Sequence, residues 1–148
     1  MCWCNYAAEV QTWYGMSWSN NQLGVFSGMA VGPIPEIYTD PDFGMCEIRL
    51  DLNHAVNYGE PLSHKIMYYN GPYFDSDYPF DTIATYAIGG KASIIGSNYG
   101  NGRVFLTGPH PEWEEDDSRD GVSYFDSFDD DGSEWNMMKN AVNWCLRL

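Results

Sequence analysis

Apolar and polar positions alternate most cleanly near the middle of the chain. Over residues 46–52, Cys46, Ile48, Leu50 and Leu52 are separated by Glu47, Arg49 and Asp51. That period of two predicts a strand with one wet face. Residues 65–69 (Lys-Ile-Met-Tyr-Tyr) predict a second strand, stopped by Asn70-Gly71-Pro72. Three more strands are expected over residues 82–88, closed by Gly89-Gly90, and over residues 92–97 and 103–107. Between the last two, the Asn101-Gly102 pair favours a tight hairpin turn, because both residue types tolerate positive φ.

Towards the ends the period changes. Tyr6, Val10, Trp13 and Tyr14 recur at helical spacing and Gly15 follows them, which predicts a short helix over residues 5–15. Residues 16–44 are rich in Gly, Pro, Ser and Asn, and enclose one apolar piece at Met29-Ala30-Val31. A terminal helix is expected after Ser133 as N-cap, with Trp135, Met138, Val142 and Cys145 along one face. Between residues 112 and 134 runs an acidic loop whose only cation is Arg119. No internal repeat or linker divides the chain, and one domain over residues 1–148 is expected.

Composition narrows the function more than the fold. The chain has 148 residues, 44% of them hydrophobic, with 7 Lys and Arg against 21 Asp and Glu and a net charge of −14. Such a charge repels phosphate backbones and anionic lipid, which argues against nucleic-acid and membrane-surface partners. No stretch is long and apolar enough to span a bilayer and no leader pattern is visible, so a soluble, cytoplasmic protein is expected. The four cysteines (Cys2, Cys4, Cys46, Cys145) do not form a disulfide framework by count or spacing. Cys46 and Cys145 read as buried thiols.

Candidate chemistry gathers after the strand at residues 103–107. In Gly108-Pro109-His110-Pro111-Glu112, two prolines restrict themselves and the residue before each, so His110 is held extended. Two residues apart on an extended chain, His110 and Glu112 point the same way. A thiolate nucleophile needs an imidazole to take its proton, and the imidazole needs a carboxylate to fix its tautomer.

This passage resembles the class I glutamine amidotransferases, whose sheet ends in a strand followed by His-Pro-Glu. The longer run Tyr99-Gly100-Asn101-Gly102-Arg103-Val104 with Gly108-Pro109-His110-Pro111-Glu112 is similar to a particular branch. That branch is named after the N-terminal domain of some biotin-protein ligases. Tyr69-Asn70-Gly71-Pro72-Tyr73-Phe74 and Gly32-Pro33-Ile34 also resemble it. The resemblance implies an α/β fold, a flavodoxin-like three-layer sandwich with a parallel sheet flanked by helices. It implies His110 as general base and Glu112 as its orienting carboxylate. Counting back from Tyr6-Ala7-Ala8 puts the family nucleophile at Cys2, and the Trp3 N–H then serves the oxyanion hole. The implied ancestral reaction is thiolate attack on glutamine or another small amide, through a thioester, without metal or organic cofactor, and weak or absent turnover is expected of this short form.

The chain departs from that family's pattern at its start. Cys4 stands where the nucleophile elbow has a glycine, and elbow glycines are there because the turn is tight. The strands before the elbow, and the loop giving a second oxyanion donor, have no counterpart here. Losing one donor typically costs about 100- to 1,000-fold in rate. A longer form of the chain is therefore expected, as is self-association through uncovered sheet surface.

Other readings stay open. The rival in function is a non-catalytic binding or scaffold module that retains the fold. Cys2 and Cys4 with His110 could hold a soft metal, although a structural zinc site wants four ligands. Asp120, Asp129 and Asp131 superficially resemble calcium loops, but Ser127 and Met138 stand where those loops place an acid. His54 and His64 read as surface histidines, and Tyr68, Tyr69, Tyr73, Phe74, Tyr78 and Phe80 as core and loop packing. No Gly-x-Ser-x-Gly or phosphate-binding glycine loop is present.

Overall fold

A computed structural model of the chain describes residues 4–19, 23–37, 43–113 and 134–148. Its first departure from expectation is at Tyr14-Gly15, where φ is 49° and 76°. Two consecutive residues with positive φ make a hairpin turn whose twist suits the strands it joins. Residues 5–15 are accordingly not a helix. A 3-10 turn at Cys4–Ala7 leads into strand β1 (Ala8–Trp13), which turns back as β2 (Met16–Ser19) with Trp13 opposite Met16. The β-branched and aromatic residues Val10, Thr12 and Trp13 suit a strand. Helical spacing was deceptive because a bulge between Ala8 and Val10 breaks the alternation.

The remaining strands are β3 (Phe26–Gly32), β4 (Phe43–Leu50), β5 (Ser63–Tyr69), β6 (Tyr73–Asp75), β7 (Asp81–Tyr86), β8 (Ala92–Tyr99) and β9 (Gly102–Thr107). They form one mixed sheet in the order β2-β1-β3-β6-β8-β7-β4-β5, and β9 pairs with β8 beside that path. Among the described residues only β1 and β3 pair in parallel, and every other pairing is antiparallel. The sheet is thus not the parallel one expected, because β1–β2, β4–β5, β7–β8 and β8–β9, neighbours in the chain, pair antiparallel with no α-helix between them. The strand expected over residues 82–88 ends at Tyr86, before a turn in which Gly89 and Gly90 have φ of 73° and 63°. The β8–β9 hairpin forms, but Tyr99 pairs with Gly102, so Gly100 and Asn101 are its central residues. Only Gly100 takes positive φ there, at 58°.

Adjacent residues in a strand face opposite sides of the sheet, and the core divides accordingly. Ile94 and Phe105 belong to one apolar cluster with Ile48, Ile66, Tyr68 and Tyr86. Their neighbours Ile95 and Leu106 belong to another with Ala7, Phe26, Ala30 and Phe74. One α-helix is present among the described residues, α1 (Trp135–Leu146), and it covers the first face with Met137, Ala141 and Trp144. The helix is therefore rotated from the expected face, leaving Trp135 at 40% and Val142 at 56% exposure. Polar contacts choose the side. Asn140 Nδ2 donates to the Val56 and Tyr58 carbonyls at 3.0 and 2.9 Å, and Asn136 Nδ2 to Tyr58 O at 3.1 Å. Glu134 stands at the N-cap, and Ser133 lies outside the described residues. No helix among the described residues is long and apolar enough to cross a membrane.

Candidate functional site

The segment after β9 is held at several points along its length. Gly108 N–H donates to Ser93 O at 2.8 Å, continuing the β8–β9 ladder by one step. Thr107 Oγ1 donates to Pro109 O at 2.6 Å. His110 N–H then donates to Met67 O at 2.8 Å, so the segment lies along β5, the terminal strand of the sheet order. A turn closes it, with Trp113 N–H on His110 O at 3.3 Å.

Two glycines let the backbones meet. A Cβ on Gly71 would overlap the Gly108 carbonyl, and a Cβ on Gly108 would overlap Pro72 O and the Tyr86 hydroxyl. Buried tyrosines fix the Gly71-Pro72 side. Tyr68 Oη donates to Gly71 O at 2.8 Å and accepts from Ile34 N–H at 2.7 Å, while Tyr86 Oη donates to Pro72 O at 2.9 Å. Asn70, with φ of 53°, makes the bend. Gly32 and Ile34, the Gly71-Pro72 bend and Gly108 are thus packed around one another.

Within this frame His110 Nδ1 and Glu112 Oε1 are 2.8 Å apart. The imidazole is 1% exposed and the carboxylate side chain 37%. A carboxylate only accepts, so Nδ1 carries the proton and Nε2 is left as the basic nitrogen. The ring stacks on Trp113 (4.5 Å between centroids, planes at 16°), and Trp113 stacks in turn on Tyr69 at 6.0 Å. Burial alone would raise the Glu112 carboxyl, but the His110 hydrogen bond and charge outweigh it, and the group is held below its ordinary 4.5.

A pH dependence follows from that shift. A carboxyl lowered in the folded state stabilises the fold above its unfolded pKa, and the contribution is lost as pH falls through the lowered value. Melting temperature should therefore fall on acidification below about pH 4.5, and the Glu112→Gln variant should show a shallower acid limb. Parallel melting curves for the two proteins between pH 6 and roughly pH 3 would count against the pairing.

The sequence pairing of His110 with Glu112 is what the structure brings together. Cys2 and Trp3 lie outside the described residues, as do Asp120, Asp129 and Asp131. Of the four thiols, Cys46 and Cys145 have described side chains and are poor nucleophiles: burial pushes the Cys46 thiol far up, and burial also raises Cys145. Among the described residues no group of three His, Cys, Asp or Glu is arranged to hold a metal.

Of the two histidines expected at the surface, His54 is half-buried and His64 is buried. His64 lies in β5 and is 4% exposed. Its Nε2 is 2.7 Å from Glu60 Oε2, and its Nδ1 is 3.5 Å from Glu134 Oε1, whose side chain is fully buried. Asn136 Nδ2 donates to the other Glu60 oxygen at 2.6 Å. The signal for burial was present: His64 sits two residues before Ile66 and shares its side of the strand. His54 caps the 3-10 turn Ala55–Asn57, its Nδ1 accepting Val56 N–H at 3.2 Å. Burial lowers its pKa against the raising influence of Asp81 and Asp51.

Compared with models of known protein families the chain matches none, and no curated protein matches it either.

Proposed function

We propose that the chain is a cysteine-dependent amide hydrolase of the class I glutamine amidotransferase type, with His110 as general base and Glu112 as its orienting carboxylate. The observation that carries this reading is the 2.8 Å Nδ1–Oε1 contact in a segment fixed by two prolines. It leaves Nε2 as the nitrogen able to take a proton. In this reading Cys2 gives its proton to His110, and the thiolate attacks the carbonyl carbon of a small amide such as glutamine. The Trp3 N–H donates to the oxyanion. As the C–N bond breaks, His110 returns the proton to the departing amine, leaving a thioester. Water, deprotonated by His110, attacks that carbonyl, and the C–S bond breaks to give acid and free thiol. The family's flavodoxin-like sandwich belongs to this proposal as the parent fold. Supporting it, Ala7, at the end of the turn that follows the cysteines, packs in the same cluster as Leu106 of β9.

A second reading, a non-catalytic binding module, is favoured by the 1% exposure of His110. The His110–Glu112 pair is then a structural clasp. Alkylation with iodoacetamide, read peptide by peptide, separates the two. The raised Cys46 and Cys145 thiols should give a slow background. A catalytic Cys2 should label fast near neutral pH and slow by at least ~10-fold in the His110→Ala variant. Slow labelling of Cys2 that is equal in both proteins would leave the binding module.

A further inference from the structure

The parallel strands β1 and β3 run out at the same end of the sheet, where Trp13 pairs with Gly32. Beyond that end lies a cavity of about 610 Å³, a volume typical of small-molecule sites. Its walls include Val31, Ile34, Ile88 and the Tyr73 ring, and two charged side chains, Glu36 and Lys91, stand in the same lining. His110 and Glu112 are not part of it.

The charges decide what such a cavity suits. Lys91 Nζ lies 5.1 Å from the centre of the Tyr73 ring, whose face attracts the ammonium and keeps it at the wall. Among the described residues neither Lys91 nor Glu36 takes part in an ion pair, so the two do not neutralise each other across the cavity. Both charged residues are exposed to water, so an apolar neutral ligand would gain nothing from either. A simple anion would satisfy Lys91 and be repelled by Glu36, and a simple cation the reverse. A zwitterion with an apolar body satisfies both charges and the walls together.

We propose that this cavity binds a free α-amino acid with an apolar or aromatic side chain. Its α-carboxylate meets Lys91, its α-ammonium meets Glu36, and its side chain rests against Val31, Ile34 and Ile88. The proposal is independent of the amidase reading, because the cavity shares no residue with the His110–Glu112 pair.

Calorimetric titration of the full chain with L-phenylalanine tests it, beside 3-phenylpropionate (no ammonium) and phenethylamine (no carboxylate). Saturable binding of phenylalanine is expected, with each analogue about tenfold weaker, one charged contact being worth about a decade in affinity. Lys91 and Glu36 are exposed, so their replacement leaves the fold intact. Lys91→Ala should bind phenylalanine about as weakly as phenethylamine, and Glu36→Gln about as weakly as 3-phenylpropionate. No saturation with phenylalanine up to roughly 10 mM, or equal affinity in the parent and both charge variants, would overturn the proposal.

Discussion

A Gly71→Ala variant is expected to melt well below the parent and to lose the fixed geometry of His110. The added Cβ would overlap the Gly108 carbonyl, and the obstacle is backbone rather than a flexible side chain. Neither side can give way easily. Tyr68 and Tyr86 hold the Gly71 and Pro72 carbonyls, and Gly108 is tied to Ser93 in the ladder. Overpacking of this kind costs about 1–3 kcal/mol, and more where the backbone must move. At this chain length each kcal/mol lowers the melting temperature by about 2–4 °C, so a fall of roughly 5–10 °C is expected. Thermal melting measures the cost, and the NMR shift of the His110 ring measures the displacement. Gly102→Ala is the control, because its Cβ would meet only Tyr99 O at an ordinary 3.5 Å. Equal melting of the Gly71→Ala variant and the parent would show that the two backbones are not in contact.

His64→Ala should be at least as damaging. The imidazole stands between Glu60, 4% exposed, and Glu134, fully buried, and its removal leaves two carboxylates facing each other inside the protein. Deleting one partner of a buried polar contact typically costs about 1–3 kcal/mol, and more for charged groups. Glu134 has partial support of its own, since it stands at the N-cap of α1, where the helix dipole favours negative charge. Urea unfolding should show a lower midpoint in the single variant and partial recovery in His64→Ala/Glu134→Gln, where one charge is gone. A single variant as stable as the parent would mean that the three side chains do not hold α1 to β5.

Strand β4 is legible because one face is wetter than the other, as in the buried and exposed alternation from Cys46 to Leu50, and β5, β8 and β9 because short apolar runs are bounded by turn residues. The His110–Glu112 pair was legible because two prolines dictate the local backbone whatever surrounds it. Strand β1 was not. Its most buried positions are Ala8 and Gln11, one small and one polar, and a bulge falls between Ala8 and Val10. The buried face of α1 was hidden because apolar residues occur on both sides of it. Carbonyls at Val56 and Tyr58, some eighty residues away in the chain, make the choice. For His64 the burial is legible from its place two residues before Ile66, whereas its contact with Glu134 is set by tertiary structure alone.

The seating of His110 between prolines has a consequence for hydrogen exchange. Pro109 and Pro111 carry no amide proton, so residues 109–111 contain a single exchangeable backbone hydrogen. It belongs to His110 and is bonded to Met67 O. Deuterium uptake at that one site therefore reports when the segment lifts from β5, undiluted by its neighbours. Compared with uptake in the Ile94–Ile95 core of β8, it separates a local lift of this loop from unfolding of the whole sheet.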